Sequence, residues 1–161
     1  MMKKSFFKYL FGISLIIFGI YSCIKKKQYT PTPSIEYKAF YPYVGDSADF
    51  QILFSDGDGD IGVGQNDSTI SLFTTYYYYD TITLKYRAFL KASPNDTLRT
   101  NYNIKAPSDA YKGKAISGEI SVRMQQFRHS TKIKKVKYVV YLLDKAGHKS
   151  NVITTPELIV P

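Results

Sequence analysis

The sequence predicts a single all-β domain, an antiparallel β-sandwich, on three observations. Fifteen Tyr and ten Phe accompany many Val, Ile and Thr, side chains that suit a pleated, half-buried surface. The chain alternates with period two, as where Phe50, Ile52 and Phe54 interleave with Asp49, Gln51 and Leu53, and it carries no helical stripe. The alternating runs are short and regularly interrupted by turn residues, the spacing of a sandwich rather than of an α/β fold.

Along the chain the expected strands cover residues 35–41, 48–54, 70–79, 81–91, 98–104, 116–127, 135–144 and 152–160. The fourth rests on Ile82, Leu84 and Tyr86 alternating with Thr83, Lys85 and Arg87. Ser93-Pro94-Asn95-Asp96 and Pro107-Ser108-Asp109 read as loops, and Ala146-Gly147 closes a hairpin.

That hairpin carries Tyr138, Val140, Leu142, Asp144, Gly147 and Ser150 in the pattern Y-x-V-x-L-x-D-x-x-G-x-x-S. It resembles the final hairpin of fibronectin type III and related immunoglobulin-like domains. The resemblance spans about a fifth of the chain. It implies an immunoglobulin-like sandwich in which Tyr138 is the corner tyrosine, buried and bonded through its hydroxyl to backbone. It carries no function.

Ahead of the domain stands an address. Lys3, Lys4 and Lys8 precede 16 uncharged residues, Tyr9 to Ile24, a run of signal-peptide length and shorter than the roughly 18–20 needed to span a bilayer. At its end Ile20-Tyr21-Ser22-Cys23 resembles a lipobox, with an aliphatic residue three before the cysteine and small Ser22 beside the bond to be cut. The resemblance implies that 1–22 are removed and that the Cys23 thiol takes diacylglycerol, with further acylation of the new amino group. Two or three chains at about 0.8 kcal/mol per buried CH₂ anchor permanently. The competing reading is an uncleaved N-terminal membrane helix with an incidental cysteine.

The organisation expected is therefore leader 1–22, lipidated Cys23 and tether 23–33, and a β-sandwich over 34–161. In the tether, Lys25, Lys26 and Lys27 face anionic headgroups and two X-Pro steps stiffen the spacer. The chain resembles small Bacteroidetes-type lipoproteins, in which an acidic run after the cysteine directs surface exposure. The run here is basic, which implies the periplasmic face of the outer membrane. Cys23 is the only cysteine, so no intramolecular disulfide forms. The net charge of +9 includes the three leader lysines, and the remaining excess suits a membrane surface better than nucleic acid for a secreted chain.

The sharpest local pattern is Phe54-Ser55-Asp56-Gly57-Asp58-Gly59-Asp60-Ile61-Gly62-Val63-Gly64. Carboxylates at alternate positions among glycines can fold round a hard cation, so Asp56, Asp58 and Asp60 are candidate Ca²⁺ ligands. Asp67, 11 residues after Asp56, stands where an EF-hand places its last ligand. An EF-hand is rejected, because Ile61 occupies the position of its glycine and strands flank the loop. The alternative is a plain polar Asp-Gly turn between two strands. The same block resembles a recurrent element of short lipoproteins of that bacterial group, which names a family without an activity.

Tyr76-Tyr77-Tyr78-Tyr79 presents two rings to each face of a strand, either as core packing or as a stacking surface for sugar or peptide. Lys132, Lys134, Lys135 and Lys137 form a basic cluster that meets an acidic partner or guards a strand edge. His129 and His148 lack a local partner pattern, and no nucleophile, zinc or phosphate-loop motif occurs. The sequence therefore points to a non-catalytic, membrane-anchored module binding a protein or glycan partner at the envelope. Two alternatives remain: a structural accessory subunit of an envelope export or uptake complex, and a β-sandwich hydrolase with two facing carboxylates.

Overall fold

The computed structural model describes residues 29–90 and 97–160. The leader, Cys23, the first part of the tether and the expected loop at 93–96 lie outside them. The described chain is an all-β antiparallel sandwich of nine strands: β1 (Ser34–Pro42), β2 (Ala48–Asp56), β3 (Leu72–Asp80), β4 (Lys85–Ala88), β5 (Arg99–Tyr102), β6 (Ile116–Met124), β7 (Lys135–Leu142), β8 (Ile153–Thr154) and β9 (Leu158–Ile159). One sheet has the order β1-β2-β6. The other has the order β4-β3-β7-β8, with β5 also on β3 and β9 also on β7.

Period-two burial builds the core, as the alternation requires. Ala48, Phe50 and Ile52 of β2 face Val136, Tyr138, Val140 and Leu142 of β7, and Leu72, Thr74 and Tyr76 of β3 complete the layer. Rings interlock there: Tyr76 meets Tyr138 edge-on at 5.5 Å, and Phe40 meets Phe127 at 5.4 Å. Across the sheets, the Asn151 side chain accepts from Ile35 N at 2.8 Å and donates to Ile35 O at 2.9 Å, tying β1 to the chain before β8.

Three sequence expectations need correction. Residues 81–91 do not form one strand, because residues 81–84 form a turn after β3. The Asp80 carboxylate accepts the Ile82 N–H at 2.9 Å and the Thr83 hydroxyl at 2.8 Å, a local capping that competes with the ladder. Ile82 is left 91% exposed and Leu84 takes φ 54°, so their apolar spacing does not mark a strand face. Residues 152–160 split into β8 and β9 because Pro156, between them, has no N–H for the ladder.

Tyr138 is buried, at 2% exposure, but it is not a corner tyrosine. It sits in mid-strand opposite Tyr76, and among the described residues its hydroxyl makes no bond to backbone; burial, then the Tyr76 and Tyr102 phenols, raise its pKa. Ahead of β1, Pro33 is buried, and the backbone of Tyr29 and Thr30 lies against Gly57, where a Cβ would come within 2.5 Å of Thr30.

Candidate functional site

The alternation of β2 runs one step beyond its apolar residues and turns Asp56 inward on the same face as Phe50 and Ile52, with no solvent exposure. A carboxylate in that position must find donors or a cation. Its Oδ2 accepts the Asp60 N–H at 3.0 Å, closing the loop. Gly59 supplies the required left-handed turn at φ +69°, and a Cβ there would stand 2.1 Å from the Tyr111 carbonyl. The loop is clamped from outside: Gly113 N donates to Asp58 O at 2.5 Å, and Lys145 N donates to Asp60 O at 3.3 Å.

The second half of the site comes from the far end of the sequence. Asp144 follows β7, and its buried carboxylate accepts the His148 N–H at 2.7 Å, with His148 Nδ1 2.8 Å from its other oxygen. The Ala146 N–H donates to Asp60 Oδ2 at 3.0 Å, joining this hairpin to the acidic loop. Asp56, Asp60 and Asp144 each bring one carboxylate oxygen within 4.8 Å of the others. Asp58 stands beside them, and Oδ1 of Asp56, of Asp58 and of Asp60 is buried without a hydrogen-bond partner among the described residues.

The electrostatics record the crowding. Burial, then the charges of Asp58 and Asp60, push the Asp56 carboxyl up to about 6. Burial, then Asp144 and Asp58, raise that of Asp60. The hydrogen bond that the imidazole donates to the Asp144 carboxylate raises the pKa of His148. Beside the cluster a cleft of about 300 Å³ is lined by Gly59, Asp60, Ala106, Lys112, Lys145 and Ala146.

Of the four predicted ligands, the structure gathers Asp56, Asp58 and Asp60, and it engages Asp67 elsewhere. The Asp67 carboxylate accepts the Thr69 N–H at 2.8 Å and the Thr69 hydroxyl at 2.6 Å, and those bonds hold its pKa down. Asp144 is the residue that sequence spacing missed, though it is the acidic position of the hairpin pattern.

A second feature covers the outer face of the larger sheet. There Phe73, Tyr77 and Tyr79 of β3 lie beside Tyr141, Lys137 and Lys135 of β7 and Tyr86 of β4, in register Phe73↔Tyr141, Tyr77↔Lys137 and Tyr79↔Tyr86. Phe73 and Tyr141 stack at 4.8 Å, while Lys149 lies 4.1 Å over Tyr141 and Lys137 4.5 Å over Tyr86. Glu157 reaches the same face, bonded to Lys135 at 2.9 Å and to the Tyr86 hydroxyl at 2.7 Å. The tyrosine run is thus divided: Tyr76 is core, Tyr78 packs against the core, and Tyr77 and Tyr79 point outward. Of the basic cluster, Lys135 and Lys137 join this face, and Lys132 and Lys134 are exposed before it. His129 packs on Tyr76 at 4.7 Å, and burial lowers its pKa.

In comparison with known proteins, the chain matches no family model, no curated protein and no solved structure.

Proposed function

We propose that the chain is a lipoprotein anchored through Cys23 to the periplasmic face of the outer membrane, and that its sandwich is a non-catalytic module binding an acidic glycan of the envelope. The anchor reading rests on the basic leader, the short apolar core and the residues Ile20 to Cys23. An immunoglobulin-like reading of the sandwich is supported by its strand orders, with β1, β2 and β6 in one sheet and β4, β3 and β7 in the other.

The observation that carries the binding role is the outer face of β4-β3-β7. It holds Lys135, Lys137 and Lys149 among five rings, with Glu157 as the acid reaching it among the described residues. On the smaller sheet, by contrast, Lys38 pairs with Glu119 and Arg123 with Asp49, so charge there is balanced. Ammonium groups held over rings keep donors for carboxylate or sulfate, and the phenol hydroxyls supply donors and acceptors for sugar hydroxyls. The face runs from Phe73 to Tyr79, roughly 20 Å at the rise of a strand, enough for an extended chain of sugars.

Full-length chain in detergent, passed over immobilised polygalacturonate and over neutral dextran, tests the reading. It predicts retention on the acidic polymer alone, weakened by salt and lost in Lys137→Ala/Lys149→Ala. Equal passage over both polymers, or retention unchanged in the double variant, contradicts it.

A further inference from the structure

We infer that Asp56, Asp58, Asp60 and Asp144 form a single binding site for a hard divalent cation, Ca²⁺, that fastens the loop after β2 to the hairpin after β7.

Four carboxylates in one corner do not make a site by themselves. The independent observation is Asp56: it is fully buried, its Oδ2 accepts the Asp60 N–H, its Oδ1 has no hydrogen-bond partner among the described residues, and its carboxylate lies within the cluster of Asp60 and Asp144. An ionised oxygen so placed, without a partner, costs more than an unpartnered neutral group such as the buried Tyr76 or Tyr102 hydroxyl. Asp58 and Asp60 are partly buried, and each has an Oδ1 that is buried and without a hydrogen-bond partner among the described residues. Ala146 N–H occupies Oδ2 of Asp60, and His148 engages both oxygens of Asp144, one through its N–H and the other through Nδ1, so the remaining lone pairs face the cluster with the carboxylates' orientation fixed, as outer-shell donors fix metal ligands.

The donor set selects the ion. All ligands are carboxylate oxygens, which suit Ca²⁺ or Mg²⁺ rather than zinc or copper. Ca²⁺ bonds oxygen at about 2.3–2.6 Å, so opposed ligands stand about 4.6–5.2 Å apart, and the oxygens of Asp56, Asp60 and Asp144 lie within 4.8 Å of one another. The adjoining cleft leaves room for water to complete six to eight ligands, with Lys112 and Lys145 at its rim. The site differs from one built on the loop alone: Asp144 replaces Asp67 and brings in a strand end more than 80 residues away. It also stands apart from the glycan face and does not depend on it.

Calorimetric titration of the full-length, chelator-stripped chain in detergent with Ca²⁺ alone tests the site. The expected result is uptake of one equivalent, with affinity weakened at least tenfold in Asp144→Asn and in Asp58→Asn and unchanged in Asp67→Asn. Asp58 makes no side-chain bond to backbone among those described, so Asp58→Asn decides the matter if Asp144→Asn fails to fold. Absence of uptake up to about 10 mM, ten times the weakest range of extracellular calcium modules, overturns the proposal. So does an affinity unchanged in both Asp144→Asn and Asp58→Asn, or one lost in Asp67→Asn instead.

Discussion

The backbone N–H of Asp60 donates to Oδ2 of Asp56 at 3.0 Å and leaves Oδ1 of the same carboxylate buried without a donor among the described residues. One oxygen therefore shapes the loop, and the other sets its electrostatics. Protonation and cation binding are the two ways to satisfy that second oxygen, and they compete.

The first prediction is a pH dependence in chelator. Burial and the neighbouring aspartates raise folded Asp56 to about 6, whereas an unfolded Asp titrates near 3.9. Between these values the folded state holds the extra proton, so this group's contribution is present below about pH 4 and falls as pH rises toward 6. The loss is on the order of 2 kcal/mol. His129, with its pKa lowered by burial, acts in the opposite direction, so urea unfolding is compared between the parent and Asp56→Asn. The parent loses stability relative to the variant over this window. A parent that gains on the variant as pH rises would contradict the assignment.

Tyr138 gives a second prediction. Its ring fills the core against Tyr76, Phe40 and Phe50, and its hydroxyl makes no backbone bond among the described residues. Tyr138→Phe should therefore cost less than about 1 kcal/mol in denaturant unfolding, while Tyr138→Ala should cost about 3–5 kcal/mol. A Phe variant as damaging as the Ala variant would restore the corner role.

The anchor gives a third. Cys23 is the only thiol, so Cys23→Ala should abolish incorporation of labelled fatty acid and release the protein from the membrane fraction. Continued labelling of the variant would refute lipidation at Cys23.

The sandwich was legible because burial with period two leaves a mark in every strand that faces the core, as in Phe50 and Ile52 or Val140 and Leu142. The same signal misled at Ile82 and Leu84, where the Asp80 side chain captures the backbone and makes a turn that alternation cannot reveal. At the site, Asp56, Asp58 and Asp60 were visible because they are neighbours in the chain. Asp144 was not, because nothing local in a hairpin tells which loop the opposite sheet delivers to it. Asp67 looked like a ligand by spacing alone, and Thr69, two residues on, takes its carboxylate. The outward turn of Tyr77 and Tyr79 depended on strand register, which the repeated tyrosines left ambiguous until β3 paired with β7.

Thermal unfolding of the full-length chain in detergent, with calcium and with chelator, tests most directly the claim that a cation joins the two halves of the acidic corner. At a hundredfold excess over the dissociation constant, calcium should add about 2.7 kcal/mol and raise the melting temperature by several degrees. Chelator should reverse the shift, and Asp144→Asn should lose most of it while Asp67→Asn keeps it. A melting temperature indifferent to calcium, or a shift retained in full by Asp144→Asn, would contradict the account.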